Sequence, residues 1–231
     1  MPTFEDLLAD PECSLAVDDQ GSDLALVAFG GLKGKLAIPP FEFFGLTRDL
    51  PVTKVFIRDQ AQAWYVDGVP ELGPDLRSAA QGARELVDSL ARDAVLFGTS
   101  AGGFAAMAVG VMGGFETVHA FGAQVSMRRK VRAEMGDRRW MPRARALWRS
   151  EQPAKVLDVR PLLDASDGRT AVNVHVANDE LDIAHAALIE GRPGVTVHRH
   201  PKGGHSFVRK LRVDGSLERI VRDSLGLEPA S

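Results

Sequence analysis

Short apolar runs alternate along the chain with longer stretches of helical periodicity, the pattern of strands feeding crossover helices onto a mostly parallel sheet. Residues 13–17, 24–29, 52–59, 94–98, 117–121, 171–177 and 195–200 read as strands. The first two flank a polar stretch at 18–23 and suggest an antiparallel entry hairpin. Residues 75–90 place Leu76, Ala79, Ala80, Ala83, Leu86, Val87 and Leu90 on one face, which predicts an amphipathic helix against the sheet. The stretch GFAAMAVGVMGG at 103–114 is apolar all round, so it predicts a helix buried in the centre of the domain. A last amphipathic helix is expected over 206–224. No repeat or linker interrupts this order, and residues 1–231 read as a single α/β domain with helices on both faces of the sheet.

Composition narrows the function classes. With 45% hydrophobic and 26% charged residues the chain is not intrinsically disordered. A net charge of -3 gives no overall attraction to nucleic acid or to an acidic membrane surface. One cysteine, Cys13, excludes an internal disulfide framework and a cysteine-based zinc cluster, and no other metal or cofactor motif is present. No apolar run approaches membrane-spanning length and the first residues are acidic, so the expected location is the cytoplasm. The exception to the charge balance is 128–149, where nine Lys or Arg stand against Glu134 and Asp137, with Trp140, Met141 and Trp148 among them. This insertion reads either as a small cap whose arginines attract an acidic substrate while its tryptophans wall a pocket, or as a solvated helical face.

The sharpest chemical signal is Gly98-Thr99-Ser100-Ala101-Gly102, lying between a buried strand and a buried helix. A serine hydroxyl is a weak nucleophile unless the backbone presents it to a base, and a tight strand-to-helix turn flanked by glycines does so. Ala101 N–H then points to where an oxyanion would form. A phosphate-holding turn is the competing reading, but no lysine follows the glycines as a P-loop requires. Further along, an acid and then a histidine follow late strands in the expected order. His205 lies after Gly203-Gly204, just past the last strand, whereas His119, His175, His198 and His200 read as residues within or at the end of strands. Two acids follow the strand at 171–177: Asp179 by its distance from the strand, and Asp182, which would also suit a helix cap.

This order of serine, acid and histidine on an alternating pattern resembles the α/β-hydrolase superfamily over essentially the whole chain. Finer features are similar to bacterial α/β hydrolases associated with surface-polysaccharide genes. They are Arg58-Asp59 followed by Ala63-Trp64-Tyr65 and Gly68, the stretch from Val118 to Gln124, Asp182-Ile183-Ala184-His185-Ala186, and Gly203-Gly204-His205 with Leu211 and Leu217 beyond. The resemblance implies that the aspartate of D-x-x-H-A is the acid, which puts Asp182 ahead of Asp179. An HGGG segment is lacking, and only Gly30-Gly31 follows the strand at 24–29, so Gly31 N–H is the candidate second oxyanion donor. Asp59, Trp64 and Tyr65 follow another strand at the same edge and, with Trp140, are candidate substrate-binding residues, Trp64 and Tyr65 reading equally as a buried aromatic pair. The expected activity is a serine hydrolase acting on a small ester or thioester without a cofactor. Acyl transfer to a sugar hydroxyl and a non-catalytic assembly protein are the alternatives. The expected partner is a small-molecule ester or an acylated saccharide, with no nucleic acid or membrane partner and with self-association left open.

Overall fold

A computed structural model describes residues 4–10, 12–32, 41–150 and 155–228; the ends of the domain expected over 1–231 lie outside these. Among the described residues seven strands form one sheet: β1 (Leu15–Asp18), β2 (Leu24–Phe29), β3 (Thr53–Ile57), β4 (Asp93–Thr99), β5 (Thr117–Phe121), β6 (Ala171–Val176) and β7 (Val195–Arg199). Their order is β1-β3-β2-β4-β5-β6-β7, and every neighbouring pair is parallel except β1 with β3. The expected entry hairpin is therefore corrected: β1 lies antiparallel on β3, with Leu15 opposite Ile57, and does not pair with β2. The reason is burial. The interior strand β2 is covered almost throughout, whereas β1 is half-exposed and suits the sheet edge.

Helix α1 (Phe4–Ala9) precedes the sheet, and the short α2 (Phe44–Thr47) follows β2. Helix α3 (Leu76–Leu90) begins at Asp75, whose carboxylate accepts from the Arg77 and Ser78 N–H groups in a capping box, and it buries the predicted alanine-rich face. Helix α4 (Ala101–Met112) is buried on all sides from Ala101 to Gly110. Helices α5 (Arg129–Glu134) and α6 (Met141–Arg149) occupy the basic segment, and α7 (Arg160–Ser166) and α8 (Glu180–Ala187) flank β6. The terminal helix expected over 206–224 is instead a 3-10 turn (Gly204–Ser206), α9 (Val208–Val213) and α10 (Ser216–Ser224). The amphipathic pattern runs through the break, which occurs where Gly215 adopts φ 76 and the Asp214 carboxylate accepts from Ser216 N–H at 3.0 Å.

One face of the sheet is covered by α3, α4 and α7 and the other by α9 and α10. On the second face four strands contribute a stack of rings. Phe97 lies on His119, and His175 stacks with His119, Phe121, His198 and His200 at centroid separations of 4.4–5.4 Å. His200 stacks in turn on Phe207, just beyond His205. Burial, followed by neighbouring rings, lowers His119 to about 4 and His175 to about 2, so both are neutral near pH 7. The chain leaves β2, β3, β4, β5, β6 and β7 at one carboxyl edge, where the candidate site residues gather.

Candidate active site

Ser100 sits between β4 and α4 at φ 51 and ψ -113, a conformation that side-chain-bearing residues rarely adopt. Its glycines are required by clearance. A Cβ on Gly98 would lie 2.1 Å from Gly102 O, and one on Gly102 would lie 2.1 Å from Phe29 O. Ser100 N–H donates to Phe121 O at 2.8 Å, which ties the turn to β5. Ser100 is partly exposed. Ala101 opens α4, so its N–H has no acceptor within the helix.

His205 reaches the same edge from the loop after β7. Gly203 takes φ 130 and Gly204 φ 55, and Gly204 N–H donates to Asn178 Oδ1 at 2.9 Å, which ties this loop to the one after β6. His205 Nδ1–H faces both oxygens of Asp182, at 2.8 and 3.0 Å. Asp182 is fully buried, while His205 is about one-third exposed at its side chain. Asp179 caps α8, accepting from Leu181 N–H at 3.1 Å and Asp182 N–H at 3.0 Å, and among the described residues no hydrogen bond joins it to His205. Under the pair lies Gly122, at φ 55, where a Cβ would stand 3.0 Å from Asp182 Oδ2 and 3.4 Å from His205 Nδ1.

The basic segment is divided in direction. Arg132 and Arg139 turn inward around the buried Asp137, and Arg139 Nη1 also donates to Asp182 Oδ1 at 2.6 Å while lying 3.5 Å from His205 Nδ1. His185, one helical turn beyond Asp182, accepts from Val125 N–H at Nδ1 and therefore carries its proton on Nε2, which donates to Asp137 at 3.1 Å. Burial opposes the charge on Asp137, but hydrogen bonds from His185 and Arg139 outweigh it and hold this carboxyl well below the usual range. The D-x-x-H spacing thus places two side chains on one face of α8, toward one charged network. Arg128, Arg129, Lys130, Arg138, Arg145 and Arg149 remain exposed.

On the opposite side of the elbow, Gly31 N–H is engaged by the Glu42 carboxyl, which also accepts from the Thr99 hydroxyl. Desolvation pushes Glu42 upward, with those hydrogen bonds only partly offsetting it. Of the two readings of Trp64 and Tyr65 the structure shows the buried aromatic pair: both are fully buried, at positive φ. Tyr65 N–H donates to Asp59 Oδ2 at 3.0 Å and its hydroxyl to Gly30 O at 2.8 Å, so Asp59 serves this turn. Burial pushes Asp59 up to about 6. Trp140 precedes α6 and stays partly exposed under the Arg143 guanidinium.

Ser100 Oγ is met by Gln124, whose Nε2 lies at 3.3 Å; among the described residues no hydrogen bond joins Ser100 to His205. Gly122 and Gln124 lie in the stretch that carries the resemblance but were given no role from the sequence, and Glu42 and the inward turn of Arg139 were not identified from it. A signal existed for two of them: Glu42 is a lone acid among Phe41, Phe43 and Phe44, and Gln124 is the first uncharged polar side chain after an apolar strand at the carboxyl edge. Among the described residues no group of three or more His, Cys, Asp or Glu could hold a metal, and no helix is long and apolar enough to cross a membrane.

The sheet order, the strained serine turn and the helices on both faces define the α/β-hydrolase fold, and comparison with solved structures agrees. The capsule O-acetyltransferase of Neisseria meningitidis serogroup A superposes with a TM-score of 0.63 at 12% identity, over 89% of this chain and 90% of that one. A thermophilic esterase from Thermogutta terrifontis gives 0.55 at 15% identity, over 91% and 94%. An α/β hydrolase from the metagenome of lagoon sediments at Mar Chica, Morocco, gives 0.55 at 17% identity, over 91% and 95%. No family model matches the sequence, and no curated protein matches it.

Proposed function

We propose that this chain is a serine hydrolase that cleaves a small ester or thioester through an acyl-enzyme on Ser100. The observation that carries this reading is a positive-φ serine between two clearance glycines, sharing one sheet edge with a histidine whose Nδ1–H is held by a buried aspartate. Ser100 Oγ attacks the acyl carbon while its proton passes to His205 Nε2, and Asp182 holds the imidazole in the tautomer this requires. Hydrogen bonds of this kind are often long before substrate binds and tighten in the complex. The oxyanion accepts from Ala101 N–H, with Gly31 N–H as the second donor once Glu42 gives way. His205 protonates the leaving alcohol or thiol, then takes a proton from the water that releases the acid and returns Ser100 to its hydroxyl form.

Acyl transfer is the second reading, with a sugar hydroxyl in place of that water. It is favoured by the structural similarity to a capsule O-acetyltransferase. Labelling with a fluorophosphonate probe, followed by mass spectrometry, tests the nucleophile. The adduct is expected on Ser100, and Ser100→Ala should lose both label and turnover, the latter by several orders of magnitude. Undiminished labelling of Ser100→Ala would exclude this site, and no label on the parent would favour a binding role for the fold. Partitioning of an activated acetyl ester between free acid and acetylated sugar, measured with excess sugar present, separates hydrolysis from transfer.

A further inference from the structure

Gln124 lies just beyond β5 and is 1% exposed. Two groups hold its side chain. Trp64 Nε1–H donates to Gln124 Oε1 at 3.2 Å, and Gln124 Nε2 stands 3.3 Å from Ser100 Oγ. An indole nitrogen can only donate, so it selects the amide oxygen and leaves the amide N–H groups directed at the serine. The contact from Ser100 Oγ to Gln124 Oε1 is longer, at 3.5 Å. Trp64 is itself fixed. It is fully buried at φ 56, the next residue is tied to Asp59 and Gly30, and the Arg132 guanidinium lies over its ring at 5.9 Å.

We infer that Gln124 is a further catalytic residue, whose amide N–H donates to Ser100 Oγ, and that Trp64 is a positioning residue acting through it. This rests on the reading of Ser100 as nucleophile. The donor occupies a lone pair of Oγ and leaves the single hydroxyl proton free for His205. As the Oγ–H bond breaks and the Oγ–acyl bond forms, the amide stabilises the negative charge developing on Oγ. When the Oγ–acyl bond breaks in the second step it does so again, until His205 returns the proton. A merely structural glutamine would serve only to accept from the Trp64 indole.

Gln124→Glu separates the two roles when read at the alkaline end of the pH range, where the buried carboxyl is ionised: the carboxylate still accepts from the indole but offers Ser100 no donor. Gln124→Met removes the donor without adding a charge. Both are expected to lower kcat about 100-fold, on the scale of losing one oxyanion donor, while KM changes less than about threefold. Trp64→Phe should lower kcat about tenfold in the parent and leave kcat almost unchanged in Gln124→Met, as coupled residues do in a double-mutant cycle. Turnover by both Gln124 variants within about threefold of the parent, with the probe still on Ser100, would overturn this inference alone. An equal Trp64→Phe effect in the two backgrounds would overturn the positioning role. No label on Ser100 in the parent would remove the nucleophile reading and this inference with it.

Discussion

A carboxyl group stands on each flank of Ser100, Asp182 fully buried and Glu42 partly buried, and the two have opposite surroundings. Asp182 accepts from the His205 imidazole and the Arg139 guanidinium, and Arg139 continues into Asp137, Arg132 and His185. Among the described residues the donors to Glu42 are neutral, the Thr99 hydroxyl and Gly31 N–H, and desolvation pushes it upward. A desolvated carboxylate beside a cation keeps its charge, whereas one beside neutral dipoles is readily protonated. The difference teaches a division of labour. The His205 flank sets its carboxylate against a guanidinium and an imidazole, and the Gly31 flank sets its carboxyl against neutral donors, where desolvation raises it. Two carboxyl groups near one serine thereby differ in electrostatics through environment alone.

The largest effect should come from neutralising each carboxyl in turn. Asp182→Asn is expected to lower kcat by up to about ten-thousandfold, as loss of the correct histidine tautomer does, whereas Glu42→Gln should change it by less than about tenfold. Steady-state kinetics on one neutral ester compares the pair directly, and equal losses would erase the distinction. A second contrast uses glycines. Gly122→Ala places a methyl group against Asp182 and His205 at a positive φ and should lower kcat roughly 100-fold, the cost of a small misplacement. Gly30→Ala meets only contacts of 3.7 Å or more on the other flank and should leave kcat within about threefold.

Smaller effects follow from titration. As pH rises through the raised range of Glu42, its carboxylate forms beside the oxyanion donors and opposes the transition state. The ratio of Glu42→Gln to parent kcat/KM should therefore increase with pH by a few-fold, read from matched pH profiles. A flat ratio would mean that the charge on Glu42 does not affect the release of Gly31 N–H. The ring stack crosses β4 to β7, on the side of the sheet that carries His205. His119 and His175 both titrate below the ordinary 6.5 when folded, so the unfolded chain takes up protons first. Stability should be retained above pH 6.5 and fall as pH drops toward 4, by roughly 1.4 kcal/mol per pH unit for each ring. Denaturant melts across this range should show a shallower slope for His119→Phe than for the parent.

Much of the fold was legible because strand and helix periodicities are local. The seven strands and the helices α3 and α4 fall where the apolar pattern puts them. The partner of β1 was not legible, since a strand's pattern records its burial and not its neighbour. Nor was the break at Gly215, because an amphipathic stripe continues across two helices that share a face. At the site, Ser100, His205 and both candidate acids are announced by order and spacing. Choosing between Asp179 and Asp182 needed a resemblance, because both suit a helix N-terminus and only the chain's path shows which one faces the histidine. Gly122 and Gln124 escaped because a clearance of 3.0 Å and an amide's orientation exist only once three strands are side by side.

The ring stack has a direction. The Ser224 hydroxyl lies 2.6 Å from Ile220 O, so its single proton is committed there and its oxygen must accept from His119 Nε2, at 2.8 Å. A neutral His119 is then bare at Nδ1 and accepts from His175 Nε2 at 3.1 Å. His175 is bare at Nδ1 in turn and accepts from His200 Nε2 at 3.2 Å. One hydroxyl on α10 thus dictates the tautomers of three imidazoles, on β5, on β6 and just past β7, all protonated at Nε2 and all pointing the same way. None of the three can switch its proton alone, so they answer a change at either end as one polarised wire.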